Sequence, residues 1–152
     1  MAKRNKNAIG IAGEFLAASK LSEQGYAVGV TRKNTPGIDI LVSDGQTAKM
    51  IQVKTTEGPA NVWVCPRLER AREGLFYVFV NLHPKDAAAP SFHVVPSKTV
   101  KVFLDKQAQD ANTEYEQKNG KPFTGAGVYK FADPEGKHRD QWGLLGLKAR
   151  QG

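Results

Sequence analysis

Three polar side chains, Asp39, Gln52 and Lys54, lie in two neighbouring aliphatic runs of the sequence. They offer a carboxylate, a carboxamide oxygen and a primary amine. Carboxylate and amide oxygens are ligands that hard divalent cations such as Mg²⁺ accept. The pattern predicts a cluster of these three groups, provided that the fold brings the three side chains to one surface.

A β-hairpin is the element that would position them. Asp44-Gly45 separates the two runs, and both residue types tolerate the positive φ angles of a tight hairpin loop. With a two-residue loop, Ser43 pairs with Gln46, and Asp39 lies opposite Met50. A loop of odd length would turn one strand over and separate the polar groups, so the prediction depends on this register.

The two faces of this hairpin differ in polarity. Side chains two residues apart share a face of a strand, so Asp39, Gln52 and Lys54 project from one side. An apolar backing on the other side would hold them on rigid strands. That side is entirely aliphatic and is predicted to be core: Ile38, Ile40, Val42, Ile51 and Val53.

A helix is predicted at residues 8–24, upstream of the hairpin, because apolar residues recur at helical spacing and Gly25 follows as a stop. Glu14 lies on this helix. Its neighbours three, four and seven residues further on are Ala17, Ala18 and Leu21. The Glu14 carboxylate therefore emerges beside apolar surface, which is an unusual place for a merely solvated glutamate.

The remaining pattern alternates strands and helices. Strands are predicted at residues 26–32, 38–43, 47–55, 61–64, 75–82 and 92–95. Further helices are predicted at 66–73 and at 97–117, the second with Ser97 as its N-cap. The run at 75–82 is almost wholly apolar, as in a strand covered on both faces. This order indicates an α/β fold with a mixed sheet. Residues 1–152 are predicted to be a single domain, with 118–152 as a C-terminal extension packed on the core.

Composition narrows the class of protein. Hydrophobic residues make up 40% and charged residues 24% of the 152 residues, a balance typical of globular proteins rather than disordered ones. The chain lacks the roughly 20-residue apolar run that would span a membrane. A single cysteine, Cys65, excludes an internal disulfide and favours a cytoplasmic location. His83, His93 and His138 lack metal-ligand spacing and are expected in loops or on the surface.

Gly37-Ile38-Asp39 followed by Gln52-Val53-Lys54 resembles the signature of the PD-(D/E)XK, or restriction-endonuclease-like, nuclease superfamily. The glutamine variant is similar to Mrr-type endonucleases, and Gly13-Glu14 resembles the glutamate-bearing first helix of archaeal Holliday-junction resolvases and their relatives. The resemblance covers about residues 7–100. It implies a restriction-endonuclease-like three-layer core, with a mixed β-sheet flanked by helices in αβββαβ order.

The resemblance also implies an activity, that of a metal-dependent deoxyribonuclease. Such an endonuclease would hydrolyse DNA phosphodiester bonds in repair, recombination or restriction of foreign DNA. Mg²⁺, or Mn²⁺ in its place, would be held by Asp39, the Gln52 amide, the Val53 carbonyl and Glu14. Lys54 would orient or deprotonate the attacking water and offset the charge on the phosphorane.

The expected deoxyribonuclease activity requires DNA as a partner. The net charge of +7 creates a field that attracts polyanions. Arg32, Lys33 and Thr55 are near enough to the motif in sequence to contact DNA phosphates. Nucleases of this kind often pair so that two sites meet two strands, so a homodimer is also expected. No membrane partner is expected.

Two positions depart from the family pattern. Ile38 takes the place of the usual proline. Gln52 is a neutral ligand that attracts Mg²⁺ less strongly than a carboxylate does, so Glu14 would supply the second negative charge. The neutral ligand leaves a second hypothesis open, a catalytically inactive nucleic-acid-binding module on the same fold. The joint presence of Asp39, Glu14 and Lys54 argues against a third, a structural or inhibitory partner protein.

Overall fold

The computed structural model describes residues 4–31, 36–65, 71–83, 85 and 88–148. No helix among these residues is long and apolar enough to cross a membrane. The elements are, in chain order, α1 (Lys6–Glu23), β1 (Ala27–Val30), β2 (Ile40–Ser43), β3 (Ala48–Thr56), β4 (Val62–Cys65), β5 (Leu75–Asn81), β6 (Ser91–Pro96), α2 (Ser97–Asn119), β7 (Tyr129–Ala132) and a 3₁₀ helix (Trp142–Leu145).

Five strands form one mixed sheet in the order β1-β2-β3-β5-β6. β3 and β5 run parallel, and the other neighbouring pairs are antiparallel. All seven residues of β5 are buried, which confirms the prediction of a strand covered on both faces. The mixed sheet with helices against it confirms the predicted α/β class.

The hairpin of β2 and β3 has a four-residue loop in place of the predicted two-residue loop. Ser43 pairs with Ala48. The Asp44 carboxylate closes the wider loop, because its Oδ1 accepts the Thr47 N–H at 2.7 Å. The predicted register was therefore wrong by two residues. Since two is an even number, the paired residues of β2 and β3 keep their predicted faces.

Apolar residues form a cluster on each face of the sheet. α1 packs on one face through a stripe of small residues and Leu21. Four of the five residues predicted on the aliphatic face of the hairpin join this cluster, and Ile40, Val42, Ile51 and Val53 are at most 9% exposed. The fifth, Ile38, lies before β2, is half-buried and does not belong to the cluster. On the opposite face, α2 and a two-stranded sheet of β4 and β7 pack around Trp63, Phe79 and Phe131. The result is a three-layer arrangement.

The residues after α2 contact both faces of the sheet. β7 pairs antiparallel with β4 on the α2 side. Leu145 of the 3₁₀ helix is buried in the cluster on the α1 side. Further along, the Lys148 N–H donates to Asp44 Oδ2 at 2.9 Å. The end of the described chain is thereby held at the β2–β3 turn.

Two predictions about helices need correction. Of the short helix predicted at 66–73, residues 66–70 lie outside the described residues, and residues 71–74 are not helical. Ser97 was expected to cap the long helix, but Pro96 is at the N-cap and Ser97 is the first helical residue. The Ser97 hydroxyl instead donates to the Arg72 carbonyl at 2.9 Å and accepts the Arg72 N–H at 3.0 Å.

His93 was expected in a loop or on the surface, but it is fully buried on β6. Its Nδ1 lies 2.7 Å from Asp133 Oδ2, and its Nε2 lies 3.3 Å from Ser91 Oγ. Burial lowers the pKa of His93, and this outweighs the opposing effect of Asp133. Burial raises the pKa of Asp133, but hydrogen bonds from His93 and from nearby backbone N–H groups bring it below its usual value. A neutral imidazole therefore donates to an ionised carboxylate.

The free energy of unfolding is expected to fall as the pH drops below about 6.5, the ordinary pKa of histidine. The unfolded chain takes up a proton at His93 there, whereas the folded chain resists protonation until a lower pH. Urea denaturation at about pH 7.5 and about pH 5.5 measures this loss. In His93→Gln the loss should be smaller, although the variant is less stable overall. If His93→Gln lost as much stability between the two pH values as the wild type does, the loss would not come from protonation of His93.

Candidate functional site

β2 and β3 separate just before Ile40, and Asp39 lies at the point of separation. The Asp39 N–H donates to the Ile51 carbonyl at 2.8 Å, although Ile51 is already paired with Ile40. Two residues of one strand thus face one residue of the other, as in a β-bulge. The gap that opens between Asp39 and residues 52–56 of β3 is called the notch below.

The Asp39 carboxylate lies in the plane of the sheet at this notch. Its Oδ2 accepts the Val53 N–H at 2.7 Å, a bond that a carbonyl of the neighbouring strand makes in a regular ladder. Asp39 was predicted to share one face with Gln52 and Lys54. The bulge instead turns the carboxylate toward the edge of β3, where groups from either side of the sheet can approach it.

Thr31 anchors the segment that carries Asp39. The Thr31 N–H donates to the Asp39 carbonyl at 2.9 Å, and its hydroxyl donates to the Ile38 carbonyl at 2.5 Å. Sequence reasoning missed this residue, because a threonine beyond the end of a short strand carries no local signal of its partner.

Gln52 supplies a buried acceptor beside the notch. The residue is 9% exposed, and its Oε1 makes no hydrogen bond to any residue that the structure describes. That oxygen lies near Gly37, where a Cβ atom in place of the glycine hydrogen would be 3.9 Å away. A buried amide oxygen without a donor is unfavourable, and a bound cation would satisfy it. The residue therefore fits the predicted role of a metal ligand.

Lys54 is close enough to Asp39 to affect its ionisation. Burial raises the pKa of Asp39, and the hydrogen bond from Val53 and the charge of Lys54 oppose that rise. The Lys54 side chain leaves β3 on the same face as Gln52, two residues along the strand. A carboxylate that is partly desolvated beside a cation is an arrangement that functional sites often contain.

The Val53 carbonyl also points toward the notch. In a strand, the N–H and C=O of one residue point to the same neighbouring strand, and the Val53 N–H meets Asp39. The carbonyl is thus directed to the side where β2 has ended. This direction agrees with the role predicted for it.

Glu14 lies on α1 and therefore on the other face of the sheet from Gln52 and Lys54. It is partly exposed and lines a shallow groove of about 200 Å³ with Lys6, Asn7, Gly10 and Ile11. Gly13, the preceding residue, is packed against Thr55 of β3. Glu14 can meet the other predicted site residues only through the notch.

Of the three predicted DNA contacts, Thr55 alone lies within the described residues. Arg32 and Lys33 lie outside the described residues. The Thr55 hydroxyl is buried under α1 and has no hydrogen-bond partner within the described part of the chain, so it is not accessible to a DNA phosphate in this conformation. Thr55 is therefore a packing residue, because the alternation of β3 turns it toward α1 and away from the face of Gln52 and Lys54.

The predicted ligand set is mixed in chemistry. Within the described part of the chain there is no group of three or more His, Cys, Asp or Glu side chains placed to hold a metal. The predicted ligands are instead two carboxylates, an amide and a backbone carbonyl, all of them oxygen donors. Oxygen donors suit Mg²⁺, which usually takes only one or two carboxylates and keeps several waters.

Comparison with known proteins gives a fold. No family model matches the chain, and no curated protein matches it in sequence. The solved structure of the bacterial homing endonuclease I-Ssp6803I matches with a TM-score of 0.58 and 13% identity, over 94% of this chain and 92% of that one. Hjc, a Holliday junction resolvase from the archaeal hyperthermophile Archaeoglobus fulgidus, matches with a TM-score of 0.49 and 15% identity, over 93% and 98% of the two chains. The first likeness shows that this chain has the restriction-endonuclease-like α/β fold.

Proposed function

We propose that this protein is a Mg²⁺-dependent DNA endonuclease that hydrolyses phosphodiester bonds at the notch. The observation that carries the proposal is the buried Gln52 Oε1, which has no hydrogen-bond donor among the described residues. Gln52 precedes Val53, whose N–H donates to the carboxylate of Asp39, and burial raises the pKa of that carboxylate. The fold shared with I-Ssp6803I, a homing endonuclease, supports the same class of activity.

The proposed ligands would approach the cation from both faces of the sheet. Asp39 would bind it in the sheet plane, Gln52 from the α2 side, and Glu14 from α1, directly or through water. The Val53 carbonyl completes the set from the edge of β3. When bound, Mg²⁺ would act as a Lewis acid that polarises the phosphate and acidifies water.

In the proposed mechanism, Lys54 acts through its own side chain and not through the bound cation. Its ammonium group would donate hydrogen bonds to the attacking water or to a phosphate oxygen. Its positive charge would offset the negative charge that grows on the phosphorane. In a partly desolvated site such a charge is worth more than it is in water.

DNA is the proposed substrate. The net charge of +7 favours association with a polyanion, and the affinity should fall as the salt concentration rises. Arg32 and Lys33, which follow Thr31 in the sequence, are proposed to contact the phosphates. Thr55 is left out because its hydroxyl is buried.

Incubation with supercoiled plasmid tests the proposal directly. The purified chain should nick or linearise the plasmid in the presence of Mg²⁺ or Mn²⁺ and should leave it intact in EDTA. Cleavage in EDTA, or no cleavage with either cation, would defeat the proposal. Plasmid binding without cleavage would instead support the alternative that the neutral Gln52 ligand favours, a nucleic-acid-binding module on the same fold.

Gln52→Glu is expected to keep or raise the affinity for Mn²⁺, because a carboxylate attracts a divalent cation more strongly than an amide does. Calorimetric titration without DNA measures this affinity. Gln46→Glu is the control, since it makes the same change of charge at an exposed residue of the hairpin turn. Weaker Mn²⁺ binding by Gln52→Glu than by Gln46→Glu would mean that residue 52 is no ligand.

A further inference from the structure

Gly13 of α1 lies against Thr55 of β3 with no space for a side chain. A Cβ atom on Gly13 would overlap Thr55 Oγ1 and would lie 2.9 Å from both Thr55 Cβ and Cγ2. Real Cβ atoms essentially never approach other atoms within 3.0 Å. The helix could not lie at this depth if residue 13 had a side chain.

The buried face of α1 shows where the helix comes closest to the sheet. Its residues increase in size from Gly13 through Ala17 and Ala18 to Leu21. Residues at these spacings lie along one stripe of a helix. The smallest residue, Gly13, lies at the end of the stripe that contacts Thr55. The distance between α1 and the sheet is therefore set at this contact, beside the notch.

Thr55 contributes to this contact by its bulk. Its Oγ1 is buried and accepts or donates no hydrogen bond among the residues described. A valine would have nearly the same shape, and an apolar group that replaces an unpaired buried hydroxyl is tolerated. The size of residue 55, and not its polarity, therefore determines how closely α1 approaches.

Both contacting residues adjoin predicted site residues, since Glu14 follows Gly13 and Lys54 precedes Thr55. We propose that Gly13 and Thr55 are positioning residues whose steric contact holds α1 at the depth where Glu14 reaches the notch. The proposal rests on the proposed function, in which Glu14 is the second carboxylate of the Mg²⁺ site. Neither residue is expected to touch the cation or the DNA.

Gly13→Ala in the full chain is the central test. The variant should bind Mn²⁺ about tenfold more weakly in a calorimetric titration without DNA, because groups that orient metal ligands typically contribute about 10- to 100-fold to affinity. Gly10→Ala is a matched control on the same helix, where a Cβ would meet no atom within 4 Å. Gly10→Ala and Thr55→Val should both bind Mn²⁺ as the wild type does.

A second substitution should restore the affinity. Thr55→Gly removes all three atoms that the new Cβ would meet, so Gly13→Ala combined with Thr55→Gly should bind Mn²⁺ more tightly than Gly13→Ala alone. Thermal unfolding of the same samples shows whether a change in Mn²⁺ affinity is only a consequence of a change in stability. A merely structural contact would lower the melting temperature of Gly13→Ala and leave the Mn²⁺ affinity of the folded protein unchanged.

The outcomes distinguish this inference from the proposed function. If the wild type binds Mn²⁺ and cleaves plasmid while Gly13→Ala binds Mn²⁺ as Gly10→Ala does, the positioning role is overturned and the nuclease proposal stands. If the wild type neither binds Mn²⁺ nor cleaves, both fail together. Should Gly13→Ala not fold, Thr55→Ala removes bulk without a clash and should bind Mn²⁺ more weakly than Thr55→Val. Equal affinities of those two variants would overturn the inference.

Discussion

Replacement of Lys54 by methionine is expected to lower the rate of plasmid cleavage by about 100- to 1000-fold, the usual effect of losing one group that stabilises transition-state charge. Methionine keeps much of the length of the side chain but has no charge and no donor. The affinity for Mn²⁺ should stay the same or rise, because a positive charge near the notch is removed. Single-turnover cleavage and calorimetric titration measure the two quantities.

Lys49→Met is the matched control for this variant. Lys49 lies on the same strand, is partly buried like Lys54, and pairs with Val42 away from the notch. Its replacement should leave the cleavage rate near that of the wild type. Equal rates for Lys49→Met and Lys54→Met would remove Lys54 from the mechanism.

Asp39→Asn is expected to abolish measurable Mn²⁺ binding and plasmid cleavage without lowering the thermal stability of the metal-free protein. The change removes a charged ligand of the proposed site. Groups that only orient metal ligands already contribute about 10- to 100-fold to metal affinity, so the loss of a ligand should have a larger effect. The side-chain carbonyl oxygen of the introduced asparagine can still accept the Val53 N–H that Asp39 accepts at 2.7 Å. Calorimetric titration and thermal unfolding in EDTA measure the two effects.

The stability expectation follows from the sign of the pKa shift. Burial raises the pKa of Asp39 above its ordinary value, so the ionised form is less favourable in the folded protein than in the unfolded chain. The penalty is present at neutral pH and disappears as the pH falls below the raised pKa. Asp110→Asn, at an exposed position of α2, is the control. A marked loss of stability in Asp39→Asn alone would mean that Asp39 has a structural role.

The pattern of β3 and β5 was sufficient to predict their environment. Alternation with a period of two separates Ile51 and Val53 from Gln52 and Lys54 within β3, whatever the length of the loop. The uninterrupted apolar run of β5 can be accommodated only by burial on both faces. These properties are local, because they follow from the order of residues within one strand.

The site itself was predictable only in part. Residue types and spacing indicated Asp39, Gln52 and Lys54, and the structure places all three at or beside the notch. The position of the Asp39 carboxylate depends on a bulge opposite Ile51. That bulge is a relation between two strands, so the sequence of either strand alone does not reveal it.

The sequence by itself determined that Gln52 and Lys54 project from one face of β3 and that Ile51 and Val53 project from the other, because the geometry of a strand leaves no other choice. Only the tertiary structure decided which of these faces α1 covers. Tertiary structure alone decided the remaining features of the site. The Lys148 backbone at the Asp44 turn, the Gly13 contact with Thr55 and the burial of His93 beside Asp133 each join residues that are at least 40 positions apart. Contacts of that range arise from packing of whole elements, and no local pattern encodes them.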